Sequence, residues 1–204
     1  MEKLKEQTVF FGKDPILEGR YADAGADRGA VISHPHPLMG GDMDNTVVRC
    51  IAESLQAFKI ATLRFNFRGV GASDGCFDNG NGETQDVIAA ASFLKEKTIQ
   101  DIVLAGYSFG AWVSSRALPK LNLRKTILIA PPLELFPFDF SILRGKIGLL
   151  VSAEGDPYCP VKKITKAADD LSCPLIIIPD TDHFFVGKEE ALAASINEFL
   201  IIHH

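Results

Sequence analysis

The sequence predicts a mostly parallel twisted sheet of about eight strands, covered by helices on both faces and opened by an antiparallel N-terminal hairpin. Three observations predict it. From residue 29 onward, short runs of Val, Ile and Leu alternate with stretches of helical period. Those apolar runs are nearly continuous, as expected of strands covered on both sides. The connections between them are short, which favours strand–helix–strand winding.

Taken in order, QTVFF (7–11) and ILEGRYAD (16–23) flank the turn-forming GKDP and read as the hairpin. GAVIS (29–33), IATLRFNF (60–67), DIVLAG (101–106), KTILIA (125–130), KIGLLVSA (146–153) and PLIIIP (174–179) read as the parallel strands. Between and after them, Asn45–Phe58, Thr84–Lys97, Phe109–Leu118, Pro160–Leu171 and Lys188–Ile202 read as helices, with Asp44 or Asn45 capping the first. Two stretches break the alternation. DGCFDNGNG (74–82) is an irregular loop, and PPLELFPFDFSILRG (131–145) carries three prolines and the phenylalanines Phe136, Phe138 and Phe140 at period two, which argues against a regular helix.

A chain of 204 residues, 47% hydrophobic and 23% charged, is expected to form one domain spanning 1–204 with a core of its own. Net charge −5 gives no basic footprint, so neither nucleic acid nor an anionic membrane is an expected partner. MEKLKEQTVFFGKDP has no apolar export region, and no run approaches the ~20 residues that span a bilayer. A cytoplasmic location is expected. The four cysteines, Cys50, Cys76, Cys159 and Cys173, lack C-x-x-C spacing and are expected as free thiols. The terminal His203 and His204 read as a tag remnant and are given no role.

In LAGYSFGAW (104–112), a buried strand becomes a helix through Gly-x-Ser-x-Gly. The bland reading is a glycine-bounded turn with a capping serine. The sharper one is a nucleophile elbow, in which a Cβ at position 106 or 110 would collide with backbone and Ser108 stands at the carboxyl edge of the sheet, where ligands of such sheets bind. A hydroxyl is a weak nucleophile and needs a base and an orienting acid, expected later in the order Ser, acid, His. His183, just past the last apolar strand, is the one histidine after Ser108 outside the terminal pair, and Asp156 in EGDPYCP follows the penultimate strand. Glu154 and then Asp182 are the competing acids.

An oxyanion would need two N–H donors. Phe109, at a helix N-terminus, supplies one. The loop SHPHPLMGGDMDN (33–45) supplies the other, from His36 with Leu38 in reserve, since Pro35 and Pro37 have no N–H. The HPH pair with Asp42 and Asp44 also admits a metal reading. It finds too few further ligands, so neither metal nor cofactor is expected.

With Ser108, Asp156 and His183 so placed, the chain resembles the α/β-hydrolase superfamily over residues 8 to 200. HPHPLMGG, RFNFRGVGASDG and GYSFG are similar to a lidless bacterial group akin to dienelactone-hydrolase-like proteins and small carboxylesterases. The resemblance implies hydrolysis of an ester, thioester or related acyl group through an acyl-enzyme, with a small-molecule ester as substrate. Two departures stand out. His34–Pro35 replaces the family's His-Gly, and 131–145 is too short for the cap many relatives insert, so no large cap domain is expected. That segment leaves two readings open: an unroofed site, or a face packed on a second copy in a homodimer.

Leu38, Met39 and Phe184 are the expected substrate-binding residues; of Phe184 and Phe185, one is expected to shield the imidazole and the other to pack inward. Arg68 and Asp74 are expected to pair and organise the 68–82 loop. Glu83 and Asp86 suit the start of a helix. Trp112 is expected in the core, and Cys76 and Cys159 beside the site as bystanders.

Overall fold

In the computed structural model, which describes residues 5–25, 27–121, 123 and 126–203, the strands form one eight-stranded sheet. Lys125, opening the predicted run KTILIA, and His204 lie outside the described residues. The hairpin pairs β1 (Glu6–Phe11) with β2 (Leu17–Ala22), and β2 runs antiparallel to β4 (Ala61–Phe65). The rest is parallel: β3 (Arg28–Ser33), β5 (Asp101–Tyr107), β6 (Thr126–Ile129), β7 (Leu149–Ala153) and β8 (Leu175–Ile178), in the order β1-β2-β4-β3-β5-β6-β7-β8. The chain thus winds to one side of β3 for β4 and to the other side for β5. Such a switch point leaves a crevice at the strands' carboxyl ends. Register brings the ends of three strands level there, with Ser33 opposite both Phe65 and Gly106.

Strand period two explains the unbroken apolar runs. Val31, Leu104, Leu128 and Leu150 face one core; their neighbours Ile32, Ala105, Ile127 and Val151 face the other. The first core is closed by α2 (Asn81–Glu96), α3 (Phe109–Leu121) and α5 (Val161–Leu171), through residues such as Leu94, Val113 and Ile164. The second is closed by α1 (Thr46–Ala57) and α6 (Glu189–His203), through Val48, Ile51, Leu55 and Ile196. Residues 131–145 hold a single helical turn, α4 (Phe140–Leu143). No helix among the described residues is long and apolar enough to cross a membrane.

Two helix limits differ from the sequence reading by more than one residue. α2 begins at Asn81 rather than Thr84, because the Glu83 carboxylate reaches back to accept the N–H groups of Asp78 (2.8 Å) and Gly80 (2.7 Å). α3 continues through Pro119 to Leu121, the proline falling in its last turn.

The irregular loop also pairs differently. Arg68 does not pair with Asp74 but with Asp86 on α2, at 2.7 Å from Nη2, and its N–H donates to the same carboxylate at 3.0 Å. Asp74 contributes backbone instead, donating to the Ile16 carbonyl and accepting from Gly69. Burial pushes the Asp86 carboxyl upward, against the pull of the Arg68 guanidinium.

Candidate active site

β5 passes directly into α3, and Ser108 makes the turn with φ +54°. A non-glycine residue held there stores about 1–3 kcal/mol of strain. Its flanking glycines make so tight a turn possible: a Cβ at Gly106 would lie 2.4 Å from the Gly110 carbonyl oxygen, and one at Gly110 would lie 2.3 Å from that of Ser33. The Ser108 N–H is fixed on the Ile129 carbonyl at 2.9 Å. The hydroxyl is left at the sheet's carboxyl rim.

Asp156 sits in the turn after β7 and is 3% exposed. Its Oδ1 accepts the N–H groups of Tyr158 (2.8 Å) and Cys159 (3.0 Å), so the local turn aims Oδ2 outward. Oδ2 lies 2.7 Å from His183 Nδ1, and His183 Nε2 lies 2.9 Å from Ser108 Oγ. A carboxylate only accepts, so the His183 proton is on Nδ1 and Nε2 is left to accept from the serine hydroxyl. The loop after β8 that carries His183 is tied down by Tyr107, whose hydroxyl donates to the His183 carbonyl at 2.9 Å. Sequence reasoning missed that role, although Tyr107 stands inside the Gly-x-Ser-x-Gly motif itself.

The competing acids are engaged elsewhere. Glu154 accepts the Asp180 N–H at 3.2 Å, and Asp182 turns back to accept the Phe184 N–H at 3.0 Å. Cys159 is fully buried and burial pushes its thiol up to about 12, while Cys76 is exposed and does not line the pocket.

The loop after β3 is organised by His34, which is fully buried. The Phe67 N–H donates to its Nε2 (3.0 Å), which places its proton on Nδ1, donating to the Pro35 carbonyl (2.7 Å). Burial lowers its pKa from 6.5 to about 3, so it stays neutral. Both nitrogens are therefore occupied and unavailable to a metal. Because a trans peptide points its C=O and N–H in opposite directions, the His36 N–H is turned away from His34. The His36 ring packs 4.8 Å from that of Phe109, whose own N–H opens α3, where backbone donors lack intrahelical acceptors. Leu38 is used differently from the reserve role expected of it: its N–H donates to His36 Nδ1 at 3.2 Å.

These segments enclose a pocket of about 290 Å³ with Ser108 and His183 in its wall. Met39 and Phe184 line it, as do His36, Phe109, Phe136 and Tyr158; Leu38, 71% exposed, does not. No lysine or arginine is among the lining residues. Phe184 stands edge-on to the His183 ring at 5.5 Å, while Phe185 is buried beneath. Asn45 caps α1 by accepting the Val47 N–H (2.9 Å) and also faces the pocket. Phe136 and Tyr158 had no sequence signal beyond their neighbourhood, the proline-rich segment and the turn of Asp156.

A model of the alpha/beta hydrolase family matches residues 34–148, which run from the His34 loop to the start of β7. The chain belongs to the alpha/beta hydrolase family. This alpha/beta hydrolase is 36% identical to the uncharacterized protein RP471 of Rickettsia prowazekii, across 96% of this chain and 88% of that one. Among solved structures it is similar to an alpha-beta serine hydrolase homologue from Coxiella burnetii (TM-score 0.86, 30% identity, 98% and 99% of the two chains). It is also similar to XC6422 from Xanthomonas campestris, described as a serine hydrolase without a lid (TM-score 0.87, 29% identity, 97% and 94%).

Proposed function

We propose that this alpha/beta hydrolase is a serine carboxylesterase for small, uncharged esters, working through an acyl-enzyme. The observation that carries the reading is the continuous hydrogen-bonded chain Ser108–His183–Asp156 opening into the 290 Å³ pocket. His183 Nε2 takes the Ser108 proton as Oγ attacks the ester carbonyl carbon. The N–H groups of Phe109 and His36 receive the oxyanion. Collapse expels the alkoxide, which takes the proton from His183 and leaves as the alcohol. Water then gives its proton to His183 and attacks the acyl carbon; the second collapse returns the proton to Ser108 and frees the acid. Asp156 stays ionised throughout, fixing the tautomer and stabilising the imidazolium.

The lining supports the substrate class. Its aromatic and apolar side chains suit a compact neutral acyl group, and it holds no cation to meet the phosphates of a nucleotide-bearing thioester. The serine-hydrolase descriptions of the Coxiella and Xanthomonas structures, the latter without a lid, are in keeping with it.

Folded protein treated with a fluorophosphonate is expected to carry one adduct, on Ser108, by mass spectrometry. Ser108→Ala is expected to lose both the adduct and p-nitrophenyl acetate turnover, and acetate and butanoate are expected to be better substrates than long acyl chains. An unlabelled Ser108 in folded protein sinks the reading and leaves a binding protein on a hydrolase fold.

A further inference from the structure

Phe136 stands between two spaces. It lines the catalytic pocket, and it also lines a neighbouring groove of about 370 Å³ shared with Phe138, Phe140 and Ala167 and with the charged Lys163, Lys166 and Asp170. Among the described residues, it alone belongs to both. Its ring is firmly held. It stacks on Trp112 at 4.4 Å and 22°, and meets Phe109 edge-on at 5.7 Å. The Trp112 indole N–H donates to the carbonyl of the adjacent Pro137 at 2.8 Å, and the Phe136 N–H donates to the Pro132 carbonyl at 3.1 Å. An aromatic ring packed this way acts as a wall rather than a swinging side chain.

The rings around the site fall into two groups. Tyr107, Tyr158 and Phe184 surround His183, whereas His36, Phe109 and Trp112 surround Phe136. The leaving oxygen must sit beside His183 to receive its proton. An acyl group that projects the other way meets the Phe136 wall.

We infer that Phe136 sets the length of the acyl group this site accepts, and that the groove behind its ring is a second acyl subsite which the ring closes off. The inference rests on the ester-hydrolase reading. It also gives the phenylalanine-rich 131–145 segment a function, in which Phe136 ends the pocket while Phe138 and Phe140 floor the space beyond.

The test is a p-nitrophenyl ester series from acetate to decanoate, read as the octanoate-to-butanoate ratio of kcat/KM. A ratio measured on one preparation is insensitive to the fraction folded. Wild type is expected to favour butanoate. Phe136→Ala is expected to raise the ratio at least tenfold, since each newly buried methylene is worth roughly fourfold. Phe136→Leu, the milder variant should Phe136→Ala fold poorly, is expected to fall between. Adding Phe138→Asp to Phe136→Ala is expected to abolish the gain by placing a carboxylate on the acyl path. A Phe136→Ala protein that labels with fluorophosphonate and turns over acetate, yet keeps the wild-type ratio, overturns the inference alone. So does a shift appearing in an alcohol-length series but not in the acyl series. Wild type that neither labels nor turns over any ester overturns the ester-hydrolase reading and this inference with it.

Discussion

At the scale of single residues, the nitrogen of His36 is the atom whose role is easiest to isolate. It stands at φ −57°, the angle a proline ring adopts, so proline fits the backbone there while deleting the second of the two N–H groups proposed for the oxyanion. The His36 side chain does a separate job, accepting the Leu38 N–H. His36→Ala therefore removes the ring and keeps the amide donor; His36→Pro removes both. His36→Pro is expected to lower kcat by about 10²-fold or more relative to His36→Ala, the usual cost of one oxyanion donor, with little difference in KM. Steady-state kinetics on p-nitrophenyl acetate check it, and equal kcat values for the two variants would move the second donor elsewhere. Only part of this was legible in the sequence. The prolines on either side of His36 narrowed the choice of donor by elimination. What orients the amide did not show, because His34 acts through two backbone partners, and one of them, Phe67, is brought in by the neighbouring strand.

At the scale of elements, the strand–helix alternation was readable because period two and period 3.6 leave different marks in the chain. The wrong pairing in the 68–82 loop shows where such reading ends. Arg68 and Asp74 are close in sequence, but the guanidinium crosses to Asp86, on the second turn of α2. The crossing requires a bare backbone at Gly82, where a Cβ would lie 2.3 Å from Arg68 Cζ. Glycine content marked the loop as irregular without saying which side chain needed the room. The Arg68 and Asp86 side chains are 18% and 1% exposed, so removing one partner strands a largely buried charge. Asp86→Ala is expected to destabilise the protein by about 3–5 kcal/mol. The double change Arg68→Met with Asp86→Leu is expected to recover most of that loss, since neither charge remains. Urea unfolding of the three proteins decides it. If the double variant is no better than Asp86→Ala, the pair is not what fastens α2 to the loop.

At the scale of the whole molecule, the two cores meet along one sheet, and the side chains of the site all come from the carboxyl ends of its strands or the turns that follow them. His34 lies at that junction, holding the end of β3 to the chain just after β4 while packing its ring 4.5 Å from Phe67. The fold thus depends on an imidazole that must stay neutral. Its pKa falls from 6.5 in the unfolded chain to about 3 in the folded one, with burial as the largest cause. Between those values the unfolded chain holds a proton that the folded chain does not. The His34 contribution is therefore intact above pH 6.5 and is lost as the pH falls toward 3, at up to about 1.4 kcal/mol per pH unit. Glutamine at position 34 keeps one donor and one acceptor but has no proton to gain. Plotted between pH 6 and 4, the unfolding free energy of His34→Gln is expected to fall less steeply than that of wild type by about one bound proton, even though the variant is the less stable protein at pH 8. Parallel slopes would mean that His34 is already protonated in the folded protein. In that case Nε2 could not accept from Phe67, and the link between the ends of the two strands would have to be made some other way.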